Sequence, residues 1–305
     1  MASLKGQNLR IYIWDSTAEM FKAVGMSTNC TVTLTNNTDD ASHKDIVSAA
    51  AMPTVTSKSW QVSVDSLNVE DTAAILSTVK AMQPMMLLWD ESTANSHNQE
   101  LVHAAFSRMG MAYLSDVTFT FNNRENSTKT LQFQGCSPIA NGSNVDEYGA
   151  IPLGSYTKGQ NVRLFLSSDN TAAPSAVIAA ARQLQLHVSL TLEDATTKDT
   201  AGDWQVQEPT GLSYDISTSA LVRSGETITS QVASKSLNDL ETIYQNGTPV
   251  KWKIANVGGD NNRTASSTIV SGSVVLTQLT LNGPNRQNAD YTAQLAGYGD
   301  YDVAA

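Results

Sequence analysis

The feature that most constrains this chain of 305 residues is an eight-residue stretch that occurs twice. Residues 6–13 read GQNLRIYI, and residues 159–166, 153 positions further along, read GQNVRLFL. Both stretches end in β-branched, aromatic and other apolar residues, which is typical of a strand. A chain of this length has room for two domains of about 150 residues each. The repeat therefore predicts two copies of one β-rich domain.

Further blocks recur in the same order. Residues 60–64 match residues 214–218 at an offset of 154, and the closing hairpin at 114–135 matches 276–297 at an offset of 162. The alternating stretch 30–35 is matched to 186–191. We therefore expect a first copy over residues 1–140, a linker over 141–158 and a second copy over 159–305.

The pattern within each copy indicates a mainly β fold, a sandwich or barrel with one flanking helix. Apolar residues at helical spacing predict helices near residues 73–80 and 237–244, with Ser236 as an N-cap for the second. Glu70 and Asp71 would favour the N-terminus of the first helix. We expect Trp60 in the core, a short helix at 99–108, a surface linker and a mobile tail at 299–305.

The long polar stretch 36–59 is predicted to be a functional loop, because structureless loops of that length are uncommon in compact domains. Within it, the charged run 39–45 matches 193–199 of the second copy. A charged run is often only a solvated hairpin tip. Its presence in both copies favours contact between subunits, and the candidate contact residues are Asp39, Asp40, His43, Lys44, Asp45, Glu193, Asp194, Lys198 and Asp199.

Composition argues against several functions. The net charge is −10, with 19 Lys and Arg against 29 Asp and Glu, which disfavours tight binding to nucleic-acid phosphates. Cys30 and Cys136 are the only cysteines, and the four histidines have no metal-ligand spacing, so no metal or cofactor is expected. No catalytic motif is present, so we expect no enzyme. The N-terminus lacks the apolar run of a signal peptide, and no run is long enough to span a membrane.

The order of elements, with a long polar hairpin between the second and third strands and the GQN repeat at the head of each copy, resembles the tail tube proteins of bacteriophages. The resemblance implies a small β-sandwich with one helix and a long loop that reaches a neighbouring ring. Most members carry one copy and form sixfold rings, so two copies imply a trimer with pseudo-sixfold symmetry.

The resemblance also implies partners and a location. Rings would stack into a tube in the virion tail, after synthesis in the host cytoplasm, and double-stranded DNA would pass through the lumen without sequence-specific binding. Other partners would be tail proteins such as the terminator, the tape measure and the baseplate or distal tail protein. No contact with a membrane is expected. Two alternatives stay open: a tandem carbohydrate-binding or adhesion protein, and another ring component of the tail, such as a terminator or baseplate ring.

Overall fold

The computed structural model describes residues 6–45, 50–67, 69, 71–92, 106–142, 145, 148–149, 157–200, 202–222, 234–258 and 264–304. In the first repeat the elements are β1 (Leu9–Asp15), β2 (Met20–Ala23), β3 (Ser27–Asp40), β4 (Pro53–Ser66), α1 (Thr72–Ala81), β5 (Met85–Glu91), β6 (Arg108–Asn122), β7 (Thr128–Gly135) and β8 (Ala140–Asn141). In the second they are β9 (Val162–Leu166), β10 (Ala176–Ile178), β11 (Ala181–Asp194), β12 (Gln207–Leu221), β13 (Ser234–Lys235), α2 (Leu237–Asn246), β14 (Val250–Val257), β15 (Ala265–Asn282), β16 (Asp290–Gly297) and β17 (Asp302–Val303).

Strand pairing is the same in the two repeats, apart from a short parallel pairing of β10 with β13 that is described for the second repeat alone. In the first, β1 pairs with β2 and β5, β4 with β3 and β7, and β6 with β5, β7 and β8. In the second, β9 pairs with β10 and β14, β12 with β11 and β16, and β15 with β14, β16 and β17. The chain is thus a tandem duplication of one mainly β fold with one helix per copy, which confirms the predicted fold class.

Each repeat has two layers that share one long strand. The first layer of repeat one is β3, β4, β7 and the second part of β6, and the second layer is β2, β1, β5 and the first part of β6. Trp60 of β4 and Trp89 of β5 meet across the core with ring centroids 5.3 Å apart. Repeat two places Tyr214 against Trp252 at 5.7 Å. The buried cluster continues from one repeat into the other, so the copies share one core.

A glycine in each repeat makes room for the large aromatic residue of the core. A Cβ at Gly297 would lie 2.6 Å from the ring of Tyr214, and one at Gly135 would overlap the ring of Trp60. The two glycines end β16 and β7, and each stands at the same place in its repeat. The core position predicted for Trp60 is confirmed, since that residue is fully buried.

The helices begin differently. Ser236 caps α2, as the sequence predicts, and forms a capping box with Asp239. Gly247 ends the helix in a left-handed conformation. Asp71 makes no side-chain cap at α1 and instead binds the buried ammonium group of Lys129, with Oδ2 2.7 Å from Nζ. Glu70, the other predicted N-terminal acid, lies outside the described residues.

The prediction of a long loop over residues 36–59 is wrong. β3 runs on to Asp40 and β4 starts at Pro53, and the two strands stay paired from Thr35 opposite Ser59 to Asp40 opposite Pro53. The stretch shows no apolar alternation because this part of the hairpin is mostly exposed on both faces. Beyond this pairing, the described residues 41–45 and 50–52 belong to no helix or strand.

Three smaller expectations also change. β11 aligns with β3 at an offset of 154, so the counterpart of residues 30–35 is 184–189 and not 186–191. Residues 299–304 of the tail are packed against the fold, since Tyr301 is buried and β17 pairs with β15. The first residue of the linker, Asn141, ends β8, which pairs with β6, and Tyr148 of the linker bridges to Phe21. The short helix expected at 99–108 lies almost wholly outside the described residues, and its last residue, Arg108, begins β6.

Candidate assembly interface

The two repeats are joined by antiparallel pairing of β6 with β11. The register runs from Asn122 opposite Gln183 to Asp116 opposite Ser189. β6 lies at one border of the first layer of repeat one, and β11 lies at the opposite border of the corresponding layer of repeat two, where it occupies the place that β3 has in repeat one. Eight strands therefore form one continuous sheet, in the order β3, β4, β7, β6, β11, β12, β16, β15. We call the β6–β11 contact the inner junction.

The core side of the inner junction is apolar and buried. Val117 stands opposite Val188, and Phe119 opposite Leu186, and all four side chains are shielded from water. Directly opposed apolar side chains on neighbouring strands contact each other and stabilise a sheet. The inner junction is thus a fully packed contact between the repeats.

Helix α1 of the first repeat also contacts the second repeat. The buried Tyr301 hydroxyl donates a hydrogen bond of 2.7 Å to the carbonyl oxygen of Leu76, and Lys80 Nζ donates one of 2.6 Å to the carbonyl oxygen of Tyr301. The Lys80 ammonium also lies 5.6 Å from the centre of the Tyr301 ring. The C-terminal segment is held in this way against the first repeat.

The opposite side of the inner junction carries a charged cluster. His187 Nε2 lies 2.6 Å from Asp116 Oδ2, and His187 Nδ1 lies 2.7 Å from Asp215 Oδ1. Partial burial alone would lower the pKa of His187, but the hydrogen bonds and charges of the two carboxylates outweigh it and raise the pKa above its usual value. The protonated imidazole donates to both carboxylates at once, so it fits this site better than the neutral ring.

The face of the eight-stranded sheet that points away from the core is polar. The alternation of buried and exposed residues assigns to it Asn29, Thr31, Thr33, Thr35, Ser59, Gln61, Ser63, Asp65, Asp116, Thr118, Thr120, Asn122, Thr128, Thr130, Gln132, Gln134, Gln183, Gln185, His187, Ser189, Ser213, Asp215, Ser217, Ser219, Gln278, Thr280, Asn282, Asp290, Thr292, Gln294 and Ala296. We call these residues the polar face. Its charged members are four aspartates and His187, and none of these strand positions holds Lys or Arg.

The nine candidate contact residues lie in the two hairpin arms, at the ends of β3 and β11 and in the loops that follow, and all nine are exposed. The loops turn in the same way. Asp40 Oδ1 accepts a hydrogen bond of 2.9 Å from the backbone of Ser42, and Asp194 Oδ1 accepts one of 2.9 Å from the backbone of Thr196. In the second arm Glu193, Asp194, Lys198 and Asp199 stand where Asp39, Asp40, Lys44 and Asp45 stand in the first.

The second arm makes a contact that the sequence analysis missed. Its tip bends back onto the first repeat, where Lys58 Nζ lies 3.1 Å from Asp203 Oδ2. The backbones join as well, with Lys58 N donating to the carbonyl oxygen of Asp203 and Gln205 N donating to that of Lys58. The contacting residues are 145 positions apart and carry no pattern that pairs them. The charged run 193–199 takes no part in this contact.

Comparison with known proteins identifies the second repeat. Residues 157–303 match the family described as phage tail tube protein. The chain contains a phage tail tube domain.

The first tail tube repeat shares the element order, the strand pairing and the placement of the core aromatic with the second, so the duplicated fold is the tail tube fold. Solved structures similar to the chain include the tail of an empty gene transfer agent particle refined with C6 symmetry, at 17% identity and TM-score 0.38, covering 49% of this chain and 99% of the other. A native gene transfer agent virion matches at 18% identity and TM-score 0.37, covering 49% of this chain and 99% of the other. The SPP1 tail tube matches at 13% identity and TM-score 0.35, covering 48% of this chain and 78% of the other. None of the curated proteins compared with the chain matches it.

The borders of the eight-stranded sheet are its first and last strands. Within the described residues, β3 of the tail tube sheet pairs with β4 alone, and the last part of β15, from Gln278 to Asn282, pairs with β16 alone. Each border exposes large apolar side chains, Leu34 on β3 and Leu281 on β15. We call β3 and this part of β15 the two outer edges.

Among the described residues, no three His, Cys, Asp or Glu side chains are grouped so that they could hold a metal ion. Cys30 and Cys136 are free thiols, and burial raises the pKa of both. In the part of the chain that the structure describes, neither helix is long and apolar enough to cross a membrane.

Proposed function

We propose that this chain is a structural subunit of a phage tail tube, in which three copies close into a pseudo-hexameric ring and rings stack around a channel for double-stranded DNA. The observation that carries the proposal is the eight-stranded sheet. It joins two equivalent tail tube layers side by side and leaves an open edge at each end. A sheet of this kind is completed when copies of itself fill both edges.

The size of the closed sheet suits a channel. Three chains with eight strands each would form a barrel of about 24 strands, and barrels of about 16 to 18 strands already enclose an aqueous channel. The buried side of each sheet is covered by the second layer, so the polar face is the side that can line the lumen. A lumen lined mainly by Ser, Thr, Asn and Gln side chains would be well hydrated.

The charge of the polar face suits transit of DNA. Phosphate groups bind Lys and Arg, and the strand positions of this face offer neither. Asp65, Asp116, Asp215 and Asp290 would instead repel the phosphates, while His187 is held by two of these aspartates. DNA could therefore move along the wall without being retained, and no sequence-specific contact is required.

The hairpin arms are proposed to connect successive rings. The charged runs 39–45 and 193–199 are exposed and have the same turn geometry in both repeats. A variant that lacks residues 39–45 should form rings that stay soluble and do not stack. Tubes of normal length from this variant, seen by electron microscopy, would show that the arm has another role.

The proposed role is structural and needs no cofactor or catalytic step. The chain would lie in the virion tail, beside the terminator, tape measure and baseplate or distal tail proteins. Negative-stain microscopy of the purified chain tests the proposal. We expect tubes with a stain-filled channel. Rings that never stack would favour a terminator or baseplate role, and a protein that stays monomeric at every concentration while binding glycans would overturn the proposal in favour of a carbohydrate-binding protein.

A further inference from the structure

We infer that β3 of one chain pairs with β15 of the next chain, in the same register that β11 has with β6 inside each chain. This inference rests on the proposed ring and adds the residues that meet at its contact between chains. We call that contact the outer junction. Its template is the inner junction, because each outer edge corresponds to one strand of that junction. β3 of the first repeat corresponds to β11 of the second, and β15 of the second corresponds to β6 of the first.

The correspondence between the repeats is fixed by strand registers. Ala112 pairs with Gly135 in the first repeat, and Val274 with Gly297 in the second, so β15 follows β6 by 162 positions. The two hairpins also share a register shift at the same place, between Leu114 and Asp116 and between Leu276 and Gln278.

The other edge is fixed in the same way. Leu34 pairs with Trp60 in the first repeat, and Val188 with Tyr214 in the second, so β11 follows β3 by 154 positions. Each position of the inner junction therefore has one defined counterpart on an outer edge.

The register of the outer junction follows from these offsets. At the inner junction Val117 stands opposite Val188, so at the outer junction Leu279 would stand opposite Leu34 of the neighbouring chain. In the same way, the inner pair of Phe119 and Leu186 corresponds to an outer pair of Leu281 and Val32. Between them, Thr118 opposite His187 becomes Thr280 opposite Thr33. All four apolar residues fall on the core side, so the buried core of one chain would continue into the next.

Exposure supports this register. Leu34 is 65% exposed and Leu281 is 60% exposed, whereas their counterparts Val188 and Phe119 are 1% and 0% exposed at the inner junction. Exposed apolar side chains on an unpaired strand are a template for association. The outer junction would bury both side chains against apolar partners.

Helix α2 gives independent support. α1 reaches Tyr301 of the second repeat through the carbonyl oxygen of Leu76 and the ammonium group of Lys80. The corresponding part of α2 carries Tyr244, which is 50% exposed. At the inner contact α1 covers Tyr301, whose counterpart is Ile139, one residue before β8. We expect Tyr244 to cover Ile139 of the neighbouring chain.

The two junctions differ on the polar face. The counterparts of His187, Asp116 and Asp215 are Thr33, Gln278 and Gln61, none of which carries a charge. Backbone pairing and apolar contact alone would therefore hold the outer junction.

Disulfide trapping tests the register. In a background with Cys30→Ala and Cys136→Ala, the double variant Thr33→Cys with Thr280→Cys is assembled, treated with a mild oxidant and separated under denaturing conditions. We expect covalent dimers and trimers. The matched control is Thr118→Cys with His187→Cys, which places the same pair at the inner junction and should give a bond within one chain only. Thr33→Cys with Asn282→Cys, shifted by two residues, should give far less product.

The outcomes separate this inference from the proposed function. Tubes that form but cross-link only through the shifted pair, or not at all while the control closes its bond, would overturn the outer junction and leave the tube function standing. A protein that forms neither rings nor tubes, with or without the substitutions, would overturn both.

Discussion

The inner junction and the outer edges are made of corresponding strands. The two strands of the inner junction pair with each other, whereas each outer edge is paired along one side within the described residues. At the inner junction Phe119 and Val188 are buried and a histidine links two aspartates, whereas the corresponding outer positions hold the exposed Leu281 and Leu34 and uncharged polar residues. A contact within one chain forms at any concentration, but a contact between chains forms only on assembly. Duplication has thus turned every second contact of the proposed ring into part of the core of a single chain.

The largest expected effect separates monomer stability from assembly. Phe119→Ala removes a fully buried ring, so we expect the chain to lose about 3–5 kcal/mol of unfolding free energy in urea. The matched variant Leu281→Ala changes an exposed side chain and should cost the monomer less than about 0.5 kcal/mol. It should nevertheless weaken ring formation, measured by sedimentation. Equal losses of monomer stability in the two variants would contradict the comparison.

An intermediate effect is expected where the helices meet their neighbours. Tyr301→Phe removes the buried hydroxyl that donates to Leu76, which should cost about 0.5–1.5 kcal/mol in urea unfolding. Tyr244→Phe on α2 alters a half-exposed side chain and should leave the unfolding midpoint of the monomer unchanged. If Tyr301→Phe were as harmless as its control, the contact of α1 with the C-terminal segment would be unimportant for stability.

The smallest effect concerns pH. Because the folded-state pKa of His187 is raised, its cluster stabilises the chain fully below the unfolded pKa of about 6.5, and this contribution is lost as pH rises through the folded value. The Tm of the wild-type chain should therefore fall with rising pH more than that of His187→Gln. Thr33→Gln at the outer edge is the control and should keep the wild-type slope. Parallel slopes for the wild type and His187→Gln would show that the cluster does not stabilise the inner junction.

Sequence alone could predict the repeat and the fold class, because apolar alternation marks the long strands that face the core, such as β4, β6 and β7. It misaligned β11 by two residues for a physical reason. Alternation has a period of two, so a slip of two residues leaves the same side chains on the same face. Only the pairing of Leu34 with Trp60 and of Val188 with Tyr214 fixes the alignment.

Other features could not be found from pattern. The outer parts of the arms are strands without an apolar face, so their Ser, Thr and Asn residues look like a loop. Pairing of β6 with β11, and of Lys58 with Asp203, depends on which edges meet in space, and periodicity does not encode that. The tail appeared mobile because its composition is polar, yet one buried residue, Tyr301, holds it in place.

The mass of one ring decides how many chains it contains. We expect native mass spectrometry of rings, or the mass per length of tubes combined with their axial repeat, to give three chains of 32.7 kDa per ring. Six chains per ring would contradict it, because each chain would then supply only one of its two tail tube domains to the wall. A chain that stays monomeric under all assembly conditions would contradict it as well.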